Sequence, residues 1–176
     1  MKIRWPVAAI TLVVTLSVLF GGYMAYQWFQ VEKPITETVQ ETPHVSLSKL
    51  SADPAHLELV LKTDEKFSVV HDYMPLRRQL HTVAGDRKLS IRLKDRPDSH
   101  LHKAWNEMVF GIKEGMALRR YQEIPKAVQK GTEGKKIEYE VSMDDSYVYI
   151  ELHRGDRYLY RILPLHKPES EVKDNG

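Results

Sequence analysis

Asp98, His100 and His102 stand at alternate positions, and a carboxylate with two imidazoles is a donor set that suits zinc or nickel. Pro97-Asp98-Ser99 also reads as a helix start, however, and helical residues two apart point about 200° away from each other. The three would converge only in an extended segment, and no further ligand follows at a metal-site spacing, so no metal is expected. Glu138, Glu140, Asp144, Asp145 and Glu151 could supply a carboxylate pair flanking a glycan, but their alternation equally describes the solvent side of a strand. Arg154-Gly155-Asp156 spells an adhesion tripeptide, yet glycine followed by aspartate is what a tight hairpin turn requires. Gly111-x-x-x-Gly115 reads as close helix packing, not a ligand cradle. There is no Gly-x-Ser-x-Gly, no His-Glu-x-x-His and no phosphate-cradling glycine loop. The chain has no cysteine, which removes thiol catalysis, thiolate metal sites and disulfides together. The expectation is a protein with neither enzymatic chemistry nor a cofactor.

What remains is the chemistry of contact. In the strand 147–153, Val148, Ile150 and Leu152 share one side, while Tyr147, Tyr149, Glu151 and His153 share the other. A two-residue turn at Gly155-Asp156 pairs Leu152 with Leu159, Glu151 with Tyr160 and His153 with Tyr158. Tyr147, Tyr149, Tyr158 and Tyr160 thereby gather on one face. Tyrosine is enriched at contact surfaces, so this face is expected to bind a protein partner or a second copy; cross-strand aromatic packing beneath a helix is the bland alternative. Lys88, Arg92 and Lys94 alternate with Leu89, Ile91 and Leu93, giving a strand with a basic outer side. That side could attract an anionic partner, or merely guard a strand edge. Between residues 56 and 130 there are 15 Lys/Arg against 10 Asp/Glu, so an electrostatic partner should meet the first half of the folded domain.

The elements that must position these residues follow from periodicity. Leu57, Leu59 and Leu61 mark a half-buried strand. Asp64 could cap a helix running from Glu65, with Phe67, Val70, Met74, Leu76, Leu80 and Val83 near one face and a kink at Pro75. Alternatively, Phe67–Tyr73 is a strand paired with Leu57–Lys62, and a shorter helix starts at Pro75. Leu89–Leu93 is the basic strand. Leu101, Trp105, Met108, Val109, Ile112 and Met116 recur at helical spacing, giving an amphipathic helix that runs to about Glu123 before Pro125. Gly131 and Gly134 suggest a loop. Three strands follow, at 137–143, 147–153 and 158–163. The expected fold is α+β: a β-α-β-α-β-β-β domain over residues 56–166, with helices packed on one face of a mixed sheet.

Ahead of that domain, Trp5 to Val31 contains no charged residue. A bilayer core needs about 20 apolar residues as helix, so a single-pass transmembrane helix is expected over 6–29, contacting the lipid bilayer. Lys2 and Arg4 precede it and Glu32 follows, which by the positive-inside rule leaves a cytoplasmic stub at 1–5 and the domain extracytoplasmic. Trp5 at one end and Tyr23, Tyr26, Trp28 and Phe29 at the other fit two headgroup belts. Bulky residues at each plausible cleavage position favour an uncleaved signal-anchor over a signal peptide. Residues 30–55, with three prolines, read as an extended linker, and 167–176 as a disordered tail. A protein displayed there does not meet nucleic acid. The absence of cysteine is compatible with a bacterial cell envelope. These features imply a membrane-anchored protein-interaction or assembly module, with an envelope enzyme or a sensor of an anionic polymer or small ligand as the alternative.

Overall fold

Proline decides the first part of the fold, though not by breaking helices. The computed structural model describes residues 5–166; Lys2, Arg4, the side chain of Trp5 and the tail 167–176 lie outside the described residues. Helix α1 (Trp5–Gln27) passes without interruption through a π-helical turn (Trp28–Glu32) into α2 (Lys33–Glu41). Pro34 sits in the first turn of α2, two residues beyond the π turn. A proline lacks the N–H and crowds the carbonyl four residues back, and a widened turn relieves both demands. The same device recurs at a second π turn (Val69–Tyr73), two residues before Pro75 in α3 (Met74–Ala84). There Ser68 caps the start, its hydroxyl accepting from the His71 N–H at 3.2 Å. The region 64–84 is therefore neither one long kinked helix from Glu65 nor a strand plus helix. It is a loop carrying the buried Phe67, then a helix from Val69.

α1 is about 34 Å long, uncharged and predominantly apolar, enough to cross a membrane by length and composition, and its side chains from Ala9 to Tyr26 are exposed. Past the π turn the same helix is buried on one side: Val31, Ile35 and Val39, spaced four apart, have exposures of 2%, 0% and 0%. They pack with Leu57, Leu59 and Leu61 of the first sheet and Leu76 and Leu80 of α3. Residues 30–55 are thus not an extended spacer. They hold the end of the helix and strand β1 (Val45–Ala52), both part of the folded domain.

The single mixed sheet expected from the sequence is two three-stranded sheets. In the first, β1 pairs antiparallel with β2 (His56–Thr63), and β2 pairs parallel with β3 (Lys88–Lys94) through the α3 crossover. The second is an antiparallel meander of β4 (Glu138–Met143), β5 (Tyr147–Arg154) and β6 (Arg157–Pro164). Between them lies a helical hairpin, α4 (Ser99–Ala117) and α5 (Glu123–Thr132). α5 replaces the expected end at Pro125, because that proline also falls in a first turn. Gly111, Gly115 and Gly131 let the two helices close: an added Cβ would lie 3.0 Å from Ala127, 3.1 Å from Ile124 and 2.8 Å from Met108 respectively.

Helices do not share one face. α2 and α3 cover the first sheet, while α4 and α5 cover the Val148–Ile150–Leu152 side of the second. The sheets meet at Arg96 and Tyr158, whose backbones exchange hydrogen bonds of 3.1 and 3.3 Å.

Ile35→Ala tests the continuity of helix and domain. Removing a fully buried isoleucine should cost about 2–4 kcal/mol in chemical denaturation of the detergent-solubilised chain; an extended spacer at 30–55 would leave the unfolding midpoint unchanged.

Candidate functional site

The tyrosine hairpin has the register the sequence predicts. Leu152 opposes Leu159, Glu151 opposes Tyr160 and His153 opposes Tyr158. Its tyrosine face, however, points into the molecule. Tyr149, Tyr158 and Tyr160 are buried with Phe67, Val69 and Tyr73, and only Tyr147 is half exposed. The contact partner of this face is the protein's own 63–73 segment. Tyr158 Oη donates to the Thr63 carbonyl at 2.9 Å, and the Phe67 ring packs edge-on against Tyr160 with centroids 5.4 Å apart. Glu151, buried among them, accepts the Val69 N–H at 2.7 Å and lies 2.6 Å from His153 Nε2. Its carboxylate thereby meets the N-terminal end of the second π turn, where helix dipole and free N–H groups favour negative charge.

At the rim of this joint the Arg77 guanidinium stacks 4.1 Å over the Tyr147 ring, and Tyr149 Oη donates to Asp144 at 2.6 Å. Burial pushes the Asp144 carboxyl up. The Tyr149 hydroxyl, the Ser146 and Tyr147 N–H groups and Arg77 outweigh it and hold the group below its ordinary 3.8. Burial raises the Tyr73, Tyr149 and Tyr160 phenols above the usual 10.0; the bond to Asp144 adds to this at Tyr149.

The other candidate motifs are consumed by structure. Asp98 caps α4, accepting the Leu101 N–H at 2.8 Å, and also takes Arg154 at 2.7 Å. Gly155 makes the β5–β6 turn at φ +60°, with Asp156 3.6 Å from Arg96. Arg154-Gly155-Asp156 is a turn whose two charges are internally paired.

The basic strand does stay outside, and it has company. β3 buries Leu89, Ile91 and Leu93 toward α2 and α3 and sends Lys88, Ser90, Arg92 and Lys94 the other way. Register places Lys62 of β2 beside Lys94, and Lys49 of β1 across Val60 from Arg92. The Lys49 position follows from a bulge between Leu47 and Lys49 that turns the lysine outward. Within the three strands this uncovered face holds five cations (Lys49, Lys62, Lys88, Arg92, Lys94) against one carboxylate, Glu58. Lys94 donates to Ser48 Oγ at 3.1 Å, while Lys49, Lys62 and Arg92 have no carboxylate in ion-pair range among the described residues. A depression of about 150 Å³ lies between Lys49 and Arg92, edged by Ser51, Glu58 and Ser90.

Sequence reasoning found three of these five cations. Lys62 could have been found, since it alternates with Leu57, Leu59 and Leu61. Lys49 could not, because its strand was read as linker. No family model matches the chain, and neither the curated proteins nor the solved structures compared with it give a match.

The joint between the sheets should respond to pH at both ends. A depressed carboxyl stabilises the fold above its unfolded value near 3.8, and that contribution is lost as pH falls through the folded value. Raised phenols contribute fully below 10.0, and their contribution is lost as pH rises beyond it. Urea midpoints across pH should therefore fall on both sides, and Tyr149→Phe should flatten both limbs by removing one phenol and the Asp144 donor. Unaltered limbs would contradict the assignment.

Proposed function

We propose that this protein is a membrane-tethered, non-enzymatic binding module, crossing the bilayer once with its N-terminus in the cytoplasm and its domain on the far side. The contact surface in this reading is the cationic face of the first sheet. The observation that carries it is the union of two features in one chain: an exposed apolar helix long enough to span, and an uncovered sheet face with five cations. The positive-inside rule supports the orientation, since Lys2 and Arg4 precede the span and Glu32 is the first charge after it.

A tether confines the domain to two dimensions and raises its effective concentration toward other membrane-bound components. A charged open face steers encounter with a partner of opposite sign. The enzyme reading has less to stand on, because the groups it would use are engaged elsewhere: Asp98 in a helix cap and Glu151 in the inter-sheet joint. The tyrosine face, buried, is not the contact surface of this reading.

Terminal sequencing of the mature protein, with alkaline extraction of membranes, tests the tether. The chain should keep its N-terminal segment and stay with the bilayer. A new terminus between residues 20 and 30 would mean a released domain and would sink the proposal.

A further inference from the structure

The course of β1 places the cationic face relative to α1. β1 follows α2 after a three-residue turn at Thr42–His44, runs back along α2 and touches the Trp28–Glu32 turn. The strands of the first sheet therefore run along the axis of the helix that leaves the membrane, with the β1–β2 turn at the end nearest α1. A bilayer crossed by α1 meets the ends of these strands, and their open face stands upright beside it. The face is thus aimed at something other than the headgroups of its own membrane.

Its composition narrows what that is. Protein interfaces are centred on buried aromatic and aliphatic anchors ringed by polar groups. The outward positions of the three strands offer no Phe, Tyr or Trp, and Val60 is the one aliphatic side chain among lysines, arginine, serines, His56 and Glu58. Such a surface has little apolar area to remove from water, so its binding free energy must come from charge and hydrogen bonding. Cations sit about 6.7 Å apart along β3 at Arg92 and Lys94, and about 4.8 Å apart across strands at Lys94 and Lys62. This continues to Lys49 on the far side of Val60. A row of that kind matches a chain with charge at every repeat. Phosphate adds a further match, because each group keeps oxygens for a guanidinium or ammonium and for a hydroxyl at the same time. Ser51 and Ser90 line the same depression as Lys49 and Arg92. Glu58 at its edge opposes binding and limits the affinity of this one position.

Resting on the reading of this face as the contact surface, we infer that its ligand is a linear phosphate polymer, held across the strands of the first sheet by Lys49, Lys62, Arg92 and Lys94 with serine hydroxyls between them. Binding of this type is driven by release of counterions from the polymer and weakens steeply with salt.

The test uses the full chain in nanodiscs of neutral phosphatidylcholine, with inorganic polyphosphate as the probe and empty discs as the blank. Affinity should fall linearly with log salt. Lys49→Gln/Arg92→Gln/Lys94→Gln should weaken binding at least tenfold at low salt and reduce the salt slope by about 2, at roughly 0.7 per lost contact. Thermal unfolding of the triple variant should match wild type, since the three side chains are on the surface. Lys126→Gln/Lys130→Gln on α5 should bind like wild type. Polyphosphate binding that survives the triple substitution overturns the site. Preference for poly-glutamate over polyphosphate, lost in the triple variant, overturns the phosphate assignment in favour of an acidic protein and leaves the contact face standing. Binding of neither polyanion overturns both.

Discussion

Three side chains, Val31, Ile35 and Val39, hold the apolar N-terminal helix to the folded domain. Each is removed from water on the side of the helix that faces Leu57, Leu59 and Leu61, and each such burial contributes about 1.5–3 kcal/mol. Because the helix is unbroken from α1 through the π turn into α2, no loop separates its apolar part from the part packed in the domain. β1 returns along α2, β2 pairs with β1, and β3 pairs with β2. The direction of the whole first sheet is inherited from the helix that precedes it.

The second sheet is fixed by a different kind of contact. β5 is buried on both faces, aliphatic toward α4 and α5 and tyrosine toward the loop that leads into α3. A tyrosine-lined joint keeps its hydroxyls satisfied through the backbone carbonyls of Thr63 and Phe67 and the Asp144 carboxylate. Glu151 adds a buried charge that is tolerable because a helix N-terminal N–H and His153 meet its two oxygens. These polar contacts give the joint a single register where a purely aliphatic one could slide.

With both faces of β5 and one face of the first sheet covered, the other face of the first sheet remains in water. A β-sheet face in water needs side chains that carry their own solvation, and lysine, arginine and serine supply it. The near absence of acids on that face does not follow from solvation, since glutamate would serve equally well. That imbalance is what turns a solvated surface into one suited to an anionic partner.

Much of this was legible in the sequence, and the parts that were not have common causes. Strand alternation at Leu57–Leu61, Leu89–Leu93 and Tyr147–Leu163 follows from local period, so those strands, the hairpin register and the basic outer side of β3 could be read directly. So could the apolar N-terminal helix, because its length and absence of charge are local properties of the sequence. Proline misled at three places. Pro125 occupies a first turn, where the missing N–H costs little, while Pro34 and Pro75 follow π turns that relieve the missing N–H and are invisible to pattern. Whether the tyrosines faced solvent or core was undetermined by their spacing, because alternation says that two sides differ and not which is covered. Burial is a property of what arrives from elsewhere in the chain, here the 63–73 segment some 80 residues upstream. The sequence by itself determined the long apolar helix, most strands and the charge of one strand; only tertiary packing decided that residues 31–39 and β1 belong to the core, that the tyrosines form a joint, and that Lys49 and Lys62 stand beside Arg92 and Lys94.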